Sequence, residues 1–350
     1  MTSIPTDMKA AFLVRTGAAN KAFEIRKTLV PQVNGSKLLI KVEAFGLNFA
    51  DVMSRQGLYR DAPKRPFIPG YDICGRVAAA GPEAPKELVG KRVVALTRFG
   101  GYAEYAVAET LACAEMPENY PAAEACALAT QYCTALYAAE HCVNLRPGDN
   151  VLFHAAAGGV GIALGQLAEL KGCKAYGVVS SVDKAAWLQA RTKVIPIINK
   201  NGAYFSQIKL DLGGNFIDAA FNSVGGSTFK KDLSLLRPGG RSVLYGAAER
   251  SGQKGGFLAT LNLVLQFGFF TPISLMMQSK AIAGVNLLRI ADHKPLLLKK
   301  LFDDVVHLAQ EKKIHPHSAG LFTLNQLAEA HAALENRKTI GKVAVVFDAE

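Results

Sequence analysis

The spacing of apolar residues predicts a β-rich region in the first third of this chain. Between Leu38 and Ala44, one set of alternate positions is entirely apolar, whereas the other set includes Lys41 and Glu43. A period of two is typical of a half-buried strand. Further short strands are predicted over 73–79, 92–96 and 102–107, between glycine and proline turns. We therefore predict a compact, mostly β region, followed by an alanine-rich helical pattern from Pro121 to Cys142.

From about residue 150 onward, short apolar strands alternate with helical segments. Strands are predicted over 151–154, 174–179, 195–198, 216–221, 241–245 and 281–287. Helices are predicted over 160–171, 182–191 and 226–236, with amphipathic helices at 299–310 and 324–335 and a last strand at 343–347. Repeated βα units with apolar strands are typical of a parallel sheet covered on both faces. The sequence thus predicts an α/β protein with a doubly wound parallel Rossmann sheet and a smaller, mostly β domain.

The turn after the first of these strands contains a cluster of glycines. The sequence from Val151 to Gly161 reads Val-Leu-Phe-His-Ala-Ala-Ala-Gly-Gly-Val-Gly, and a helical pattern follows. Glycines at 158, 159 and 161 would let the backbone approach an anion, and the N-terminus of a helix presents free N–H groups to it. The turn is therefore a candidate pyrophosphate site. Glycines alone are a weak signal, so an ordinary βα turn is the alternative.

The end of the second strand indicates which dinucleotide would bind. An Asp or Glu at this tip would hydrogen-bond the ribose of NAD. This chain has Ser180 and Ser181 there, followed by Lys184, and hydroxyls with a cation suit a 2′-phosphate, so NADPH is favoured. Asp183 could instead read the ribose of NAD, or simply favour the first turn of the next helix. The tips at Asn222 and Gly246 are predicted to face the adenosine and nicotinamide halves of the cofactor, and an ordinary loop is the alternative for each.

Two polar residues of the first region are candidates for substrate contact. Asn48 offers a neutral donor and acceptor, and the Tyr59 hydroxyl could hydrogen-bond a carbonyl oxygen while negative charge develops on it. The structural alternatives are a turn residue for Asn48 and a half-buried core residue for Tyr59. A catalytic zinc needs three ligands in one site, and the pair His315 and His317 has no evident third ligand, so we expect no metal.

Composition narrows the choice of partners and compartment. The formal net charge is +11, but the basic residues are scattered, so nucleic-acid binding is not favoured. Six cysteines without Cys-x-x-Cys spacing favour a reduced environment, and the polar segment Met1 to Lys9 lacks a signal core. We therefore expect a cytoplasmic protein.

One uncharged apolar segment, Gly255 to Met277, has the length of a membrane span. It contains Asn262, Gln266 and Pro272, and it lies between two predicted strands of one sheet. A spanning helix would separate those strands, so we favour a buried helix, a subunit contact or a lid over an apolar substrate. Peripheral membrane contact remains open.

Taken together, these motifs resemble the zinc-free branch of the medium-chain dehydrogenase/reductase superfamily. The resemblance is strongest to zeta-crystallin-like quinone oxidoreductases and to the synaptic-vesicle membrane protein group among them. It covers nearly the whole chain and rests on motifs in family order: Gly46-Leu-Asn-Phe-Ala-Asp51, Arg55-Gln-Gly-Leu-Tyr59, Pro69-Gly-Tyr-Asp72, Phe153-His-Ala-Ala-Ala-Gly-Gly-Val-Gly161, Asn222-Ser-Val-Gly-Gly226 and Gly341-Lys-Val343.

The resemblance implies an architecture and a set of site residues. A GroES-like catalytic domain would comprise 1–125 and 288–350, and a Rossmann domain would comprise 126–287. Asn48 and Tyr59 would line the substrate pocket, and Thr134 would contact the nicotinamide. The remaining implied cofactor residues are Gly158, Gly159, Val160 and Gly161 for the pyrophosphate, Ser181 and Lys184 for the 2′-phosphate, and Lys342 near the phosphates. A homodimer joined through 281–287 is also implied.

This chain departs from the family pattern at several positions. The zinc branch has Cys where Asn48 lies and His-Glu where Tyr71-Asp72 lies, and it has a four-Cys lobe absent between Arg98 and Pro117. Lys200 replaces the usual tyrosine of an Ile-Asn-Tyr segment, so it could supply charge but no stacking. The usual aspartate of the third strand tip is Asn222.

The leading hypothesis is a zinc-independent, NADPH-dependent reductase that transfers hydride to a quinone or an α,β-unsaturated carbonyl compound. Asn48 and Tyr59 would hydrogen-bond the carbonyl oxygen. The alternative is a nucleotide-binding, membrane- or partner-associated protein with little activity, which the apolar segment and the basic charge motivate.

Overall fold

The computed structural model describes residues 4–200, 202–248 and 256–347, with the side chains of 256–260 outside the description. The chain divides into two compact units, one formed by 1–133 with 287–350 and the other by 134–286. Residues 126–133 thus belong to the first unit, whereas the family resemblance implied a boundary at 125. The two units are described separately below.

The first unit is built around a mostly antiparallel sheet of seven strands. In sheet order these are β14 (Ser318–Thr323), β15 (Lys342–Val346), β3 (Lys37–Leu47), β4 (Asp72–Ala80), β5 (Arg92–Leu96) and β7 (Cys113–Glu115), with β6 (Tyr105–Glu109) also paired to β3. A separate hairpin consists of β1 (Asp7–Leu13) and β2 (Phe23–Leu29). The last strand, which the sequence predicts over 343–347, returns to this region, because β15 pairs antiparallel with β3.

Strand β3 is buried on both faces over part of its length. Leu38 and Ile40 lie in the main core, whereas Leu39 packs with Met8 and Ala10 of the hairpin strand β1 in a second cluster. This second cluster explains why Leu39 is apolar at a position where strict alternation would place a polar residue.

Helices complete the first unit. They are α1 (Ala19–Ala22), α2 (Phe49–Arg55), α3 (Ala122–Ala127), α11 (Leu287–His293), α12 (Pro295–Gln310) and α13 (Leu327–Glu335). Short 3-10 turns occupy 86–88, 110–112 and 324–326. The helical pattern that begins at Pro121 is confirmed, although π-helical turns at 128–132 and 137–143 flank α4 (Cys133–Leu136).

The second unit is a doubly wound α/β domain. Its six parallel strands are β8 (Asn150–His154), β9 (Lys174–Val179), β10 (Ile195–Ile198), β11 (Ile217–Asn222), β12 (Leu236–Leu244) and β13 (Ala281–Gly284). Their spatial order is β10-β9-β8-β11-β12-β13, which is the Rossmann order 3-2-1-4-5-6. The helices are α5 (Gly159–Leu170), α6 (Val182–Arg191), α7 (Tyr204–Leu212), α8 (Ser227–Leu235), α9 (Gly256–Phe267) and α10 (Pro272–Gln278). The predicted fold class is confirmed.

Two predicted boundaries in this unit are wrong. Residues 237–240, which separate the predicted helix 226–236 from the predicted strand 241–245, lie inside β12, where they form an irregularity opposite the step from Ile217 to Ala219 of β11. The last strand ends at Gly284 rather than residue 287, because Leu287 and Leu288 are buried residues of α11. A short apolar run fits a strand or a buried helix equally well, so its periodicity could not separate the two.

The described part of the apolar segment forms two helices, α9 and α10, which are separated by residues 268–271. Gly268 adopts a positive φ of 84°, and Thr271 caps α10 by accepting a hydrogen bond from the Ser274 N–H. By length and composition alone, 261–278 would pass as a membrane span, and 6% of that window is buried. Neither helix alone has the roughly 20 residues that a bilayer requires.

Candidate active site

The glycine-rich turn of the second unit joins strand β8 to helix α5, as the sequence predicted. Ala155 has a positive φ of 52°, and the helix begins after Gly158. A Cβ atom added at Gly161 would lie 2.3 Å from the Ala155 carbonyl oxygen, so only glycine fits there. The first N–H groups of a helix have no intrahelical acceptor. The Gly158 N–H already donates to the Ala155 carbonyl oxygen at 2.8 Å. Residues 159–161, the first of the helix, therefore offer backbone donors in a shape that suits a pyrophosphate.

The tips of β9 and β10 bring the predicted phosphate-reading residues to one edge of the sheet. Ile198 is in register with Val179, and the Asn199 N–H donates to the Val179 carbonyl oxygen at 2.8 Å. Ser180 and Lys200, which follow these strands, are both exposed. Ser180, Ser181 and Lys184 thus follow the end of β9. Lys200 follows the end of β10, the neighbouring strand.

Ser181 and Asp183 also have structural roles at the start of helix α6. The Ser181 hydroxyl accepts a hydrogen bond from the Lys184 N–H at 3.4 Å and so caps helix α6. Asp183 lies exposed in the first turn of α6, the position that favours an acidic side chain. This position supports the structural alternative for Asp183 that the sequence left open.

Asn199 is a site candidate that sequence reasoning missed. Its Oδ1 atom is buried and has no hydrogen-bond partner in the described part of the chain. It lies at the tip of β10, beside the end of β9. An orphaned acceptor costs free energy unless a ligand or water donates to it, so Asn199 fits a role toward a ribose hydroxyl.

The tip of β11 does not have the open side chain expected at Asn222. Asn222 is fully buried, and its Oδ1 accepts from the Val224 and Gly225 N–H groups at 2.8 and 2.7 Å. Its Nδ2 donates to the Asp232 carboxylate at 2.6 Å and to Thr228 Oγ1 at 3.0 Å. The amide is therefore fully engaged within the protein and shapes the turn instead of facing adenosine.

Gly246 and Thr134 complete the predicted residues of the second unit. A Cβ atom at Gly246 would lie 2.8 Å from the Ser223 carbonyl oxygen, so the tips of β11 and β12 approach closely there. Thr134 lies on helix α4 and is 7% exposed.

In the first unit, Asn48 belongs to a buried polar cluster. Its Nδ2 donates to Asp72 Oδ2 at 2.7 Å, and its Oδ1 accepts from the Lys342 ammonium at 3.0 Å. Lys342 also pairs with Asp72, and the Thr130 hydroxyl donates to the second Asp72 oxygen. A Cβ atom at Gly46 would lie 2.1 Å from Lys342 Cε, so this glycine makes room for the lysine side chain.

The expected role of Lys342 near the cofactor phosphates does not agree with this arrangement. Lys342 has no exposed surface, and its ammonium is already paired with Asp72 and Asn48. A buried ammonium group needs such partners because its transfer out of water costs free energy. The structure therefore gives Lys342 the role of fixing Asp72 and the Asn48 amide.

Asp51 is a buried carboxyl group next to this cluster. Its Oδ2 accepts a hydrogen bond from the Asn48 N–H at 2.8 Å, and its Oδ1 has no hydrogen-bond partner among the described residues. Burial, with a contribution from the nearby Asp72 charge, raises the pKa of Asp51 to about 7. Asp51 thus holds a proton up to near-neutral pH.

Tyr59 lies half-buried beside Tyr71, with ring centroids 6.4 Å apart. Burial raises the pKa of both hydroxyls, so each is a neutral donor at physiological pH. The Tyr71 hydroxyl is buried without a hydrogen-bond partner in the described structure. Sequence reasoning used Tyr71 only as part of a motif and missed it as a candidate polar group.

A buried arginine holds the helix between these residues. Arg55, at the end of α2, is 1% exposed and pairs with Glu335 of α13 at 2.5 Å. Gln56 donates to the other Glu335 oxygen at 2.6 Å. These bonds fix α2, whose two ends lead to Asn48 and Tyr59.

Among residues 4–200, 202–248 and 256–347, no group of three His, Cys, Asp or Glu side chains could hold an ion. Asn48, which the family resemblance places where the zinc branch has a cysteine, is engaged by Asp72 and Lys342.

Comparison with known proteins places these two units in one family. Residues 34–118 match the alcohol dehydrogenase GroES-like domain, and residues 197–345 match the model described as zinc-binding dehydrogenase. The human synaptic vesicle membrane protein VAT-1 homolog-like is 30% identical over 348 residues, which are 98% of this chain and 81% of that protein.

Two solved structures extend the likeness over nearly the whole chain. The Pseudomonas syringae pv. Tomato DC3000 quinone oxidoreductase is 26% identical, with a TM-score of 0.83 over 97% of this chain and 99% of its own. A mycobacterial protein solved in complex with NADPH is 28% identical, with a TM-score of 0.83 over the same shares.

Proposed function

We propose that this chain, which belongs to the quinone oxidoreductase branch of the medium-chain dehydrogenase/reductase superfamily, is a zinc-independent reductase that uses NADPH. Its acceptor is a quinone or an α,β-unsaturated carbonyl compound. The observation that carries the proposal is the glycine turn at 158–161 beside strand tips that carry hydroxyls and lysines. The related structures named above, a quinone oxidoreductase and an NADPH complex, support it.

The residues of the second unit fit NADPH. Residues 159–161 would hold the pyrophosphate with backbone N–H groups, and a side chain at 161 would close that cradle. Ser180, Lys184 and Lys200 would hold the 2′-phosphate, and Asn199 would accept a hydrogen bond from a ribose hydroxyl. When bound, the nicotinamide supplies a hydride from its C4 atom.

The residues of the first unit supply neutral donors for a carbonyl oxygen. The Tyr59 hydroxyl stays protonated because burial raises its pKa, so it donates to an oxygen on which charge develops. The Asn48 amide has one N–H engaged by Asp72, and its second N–H would donate to the substrate oxygen. Lys342 and Asp72 hold that amide in one orientation, which lowers the cost of ordering it during the reaction.

An acceptor screen tests this assignment. With saturating NADPH, quinones and enones should cause loss of nicotinamide absorbance, and added zinc chelator should leave the rate unchanged. Tyr59→Phe should lower kcat by about 10²-fold, a typical cost of removing one donor to a developing oxyanion. Tyr120→Phe, at another half-buried tyrosine of the first unit, is the matched control. Tight NADPH binding without turnover of any acceptor would rule out the reductase assignment.

A second candidate function is attachment to a membrane surface. Helix α10 and the preceding residues 268–271 expose an apolar surface that includes Phe269, Ile273 and Met277, which are 85%, 68% and 77% exposed. Lys230 lies beside Gly268 at its edge, as a cation facing anionic lipid would. Surfaces of this kind are uncommon on proteins that remain free in water.

Sedimentation with liposomes tests this second function. Wild-type protein should pellet with anionic vesicles at low salt, and Phe269→Ser should weaken this. Leu321→Ser, an exposed leucine of the first unit, is the control. Equal sedimentation of both variants and the wild type would contradict the assignment of this surface.

A homodimer through β13 is a further proposal about partners. Strand β13 is the outermost strand of its sheet and none of its four residues is buried, so a second copy could pair there. Light scattering should give twice the mass of one chain. A proline at Ile282 should yield a monomer, whereas a monomeric wild-type protein would contradict the proposal.

A further inference from the structure

Asp232 is a fully buried carboxylate of helix α8 that lies outside the roles assigned above. It accepts hydrogen bonds from three side chains: His154 Nε2 at 2.9 Å, the Tyr204 hydroxyl at 3.1 Å and Asn222 Nδ2 at 2.6 Å. None of these three donors is more than 2% exposed. A buried carboxylate is tolerated only with such partners, so the four side chains form one satisfied network.

The donors come from three different elements of the second unit. His154 ends β8, Tyr204 begins α7, and Asn222 ends β11. Two of them directly precede turns at the carboxyl edge of the sheet, where ligands of such folds bind. His154 adjoins Ala155, the residue with positive φ that opens the glycine turn. A single carboxylate therefore fixes the starting points of two turns.

The amide of Asn222 is required by this arrangement. It donates to Asp232 and Thr228 and accepts from two backbone N–H groups, so it needs both a donor and an acceptor end. A carboxylate at 222 could not donate, and it would face Asp232 at hydrogen-bond distance with like charge. This explains why Asn stands where the family resemblance leads one to expect Asp.

We infer that Asp232 is a positioning residue of the nucleotide site, and that Asn222 and Asp232 form an exchangeable amide–carboxylate pair. Asp232 contacts no part of the cofactor in this scheme. It acts through His154 on the glycine turn and through Asn222 on the turn at 223–226. The inference rests on the proposed binding of NADPH to the second unit.

Single variants and a swapped double variant test the inference. Asp232→Asn removes one acceptor from the network, and we expect an NADPH Kd raised about tenfold with kcat at saturating NADPH nearly unchanged. Asn222→Asp brings two carboxylates together and should lower the melting temperature. The double variant Asn222→Asp with Asp232→Asn restores one amide and one carboxylate. It should recover most of the melting temperature and of the NADPH affinity lost by Asn222→Asp.

The control and the contrary outcomes separate this inference from the proposed function. Asp211→Asn, at an exposed aspartate of the same unit, should leave NADPH affinity and melting temperature unchanged. An unchanged NADPH Kd in folded Asp232→Asn would overturn the positioning role. A double variant no more stable than Asn222→Asp would overturn the exchangeable pair. Failure of the wild type to bind NADPH would overturn the proposed function, while the melting temperatures would still decide on the pair.

Discussion

Replacing Asp51 with asparagine should stabilise this protein at neutral and alkaline pH. Asp51 is 2% exposed, and burial raises its pKa from the ordinary 3.8 to about 7. Its Oδ2 accepts the Asn48 N–H, a bond that an asparagine Oδ1 at position 51 can also accept. The Tyr102 hydroxyl and the Lys342 charge also favour the ionised carboxylate, but burial outweighs them. An uncharged isostere therefore removes a cost while keeping the local hydrogen bond.

The sign and size follow from linkage. Below pH 4 both the folded and the unfolded protein hold the Asp51 proton, so ionisation costs nothing. Between the unfolded and folded pKa values the unfolded state has lost the proton, and wild-type stability falls by about 1.4 kcal/mol per pH unit. Over the roughly three units from 3.8 to about 7, this amounts to about 4 kcal/mol. Above pH 7 both the folded and the unfolded protein have lost the Asp51 proton, so the loss of stability no longer changes with pH.

Urea unfolding of wild type and Asp51→Asn from pH 4 to pH 8 measures this difference. Far-UV circular dichroism is the suitable probe, because the single tryptophan, Trp187, lies in the second unit. The free-energy gain of Asp51→Asn should grow with pH and level off near pH 7. Asp211→Asn is the control, with no such trend. A gain that is the same at every pH would refute the reasoning that Asp51 is buried and protonated.

The remaining predictions concern the glycine turn and the buried cluster. Gly161→Ala places a Cβ 2.3 Å from the Ala155 carbonyl oxygen, so NADPH affinity measured by fluorescence titration should fall more than tenfold. Gly284→Ala, which meets no atom within 4 Å, should leave it unchanged. Lys342→Met leaves the Asp72 carboxylate buried without its cation and should cost about 3–5 kcal/mol in urea unfolding. Wild-type stability in Lys342→Met would contradict the buried pair.

Local sequence patterns were sufficient to predict most helices and strands of the second unit. Strand 174–179 and helix 182–191 have the bounds that the sequence predicts, because an apolar run and a Ser cap mark them within a few residues. The parallel order of the strands then places the ends of β9 and β10 together, so the residues predicted to bind the 2′-phosphate could be grouped from sequence. The last strand was predicted too long, because Leu287 is apolar whether it lies in a strand or in a buried helix.

Long-range pairs could not be predicted in the same way. Lys342 pairs with Asp72, 270 positions earlier, and His154 pairs with Asp232, 78 positions later. No local pattern distinguishes such a buried charged residue from a solvated one, since its partner is set by the fold. The family resemblance alone places Lys342 near the cofactor phosphates, and no sequence pattern singles out Asp232.

Hydride transfer itself is the central claim, and isotope transfer tests it most directly. NADPH carrying deuterium at C4 would be incubated with the protein and an enone that the acceptor screen finds to be reduced, and the product examined by mass spectrometry and NMR. With labelled NADPH, the account predicts one deuterium on the β-carbon of the product. With unlabelled NADPH in deuterated solvent, it predicts no deuterium on that β-carbon. A reduced product that carries no deuterium from either face of the labelled nicotinamide would contradict the account.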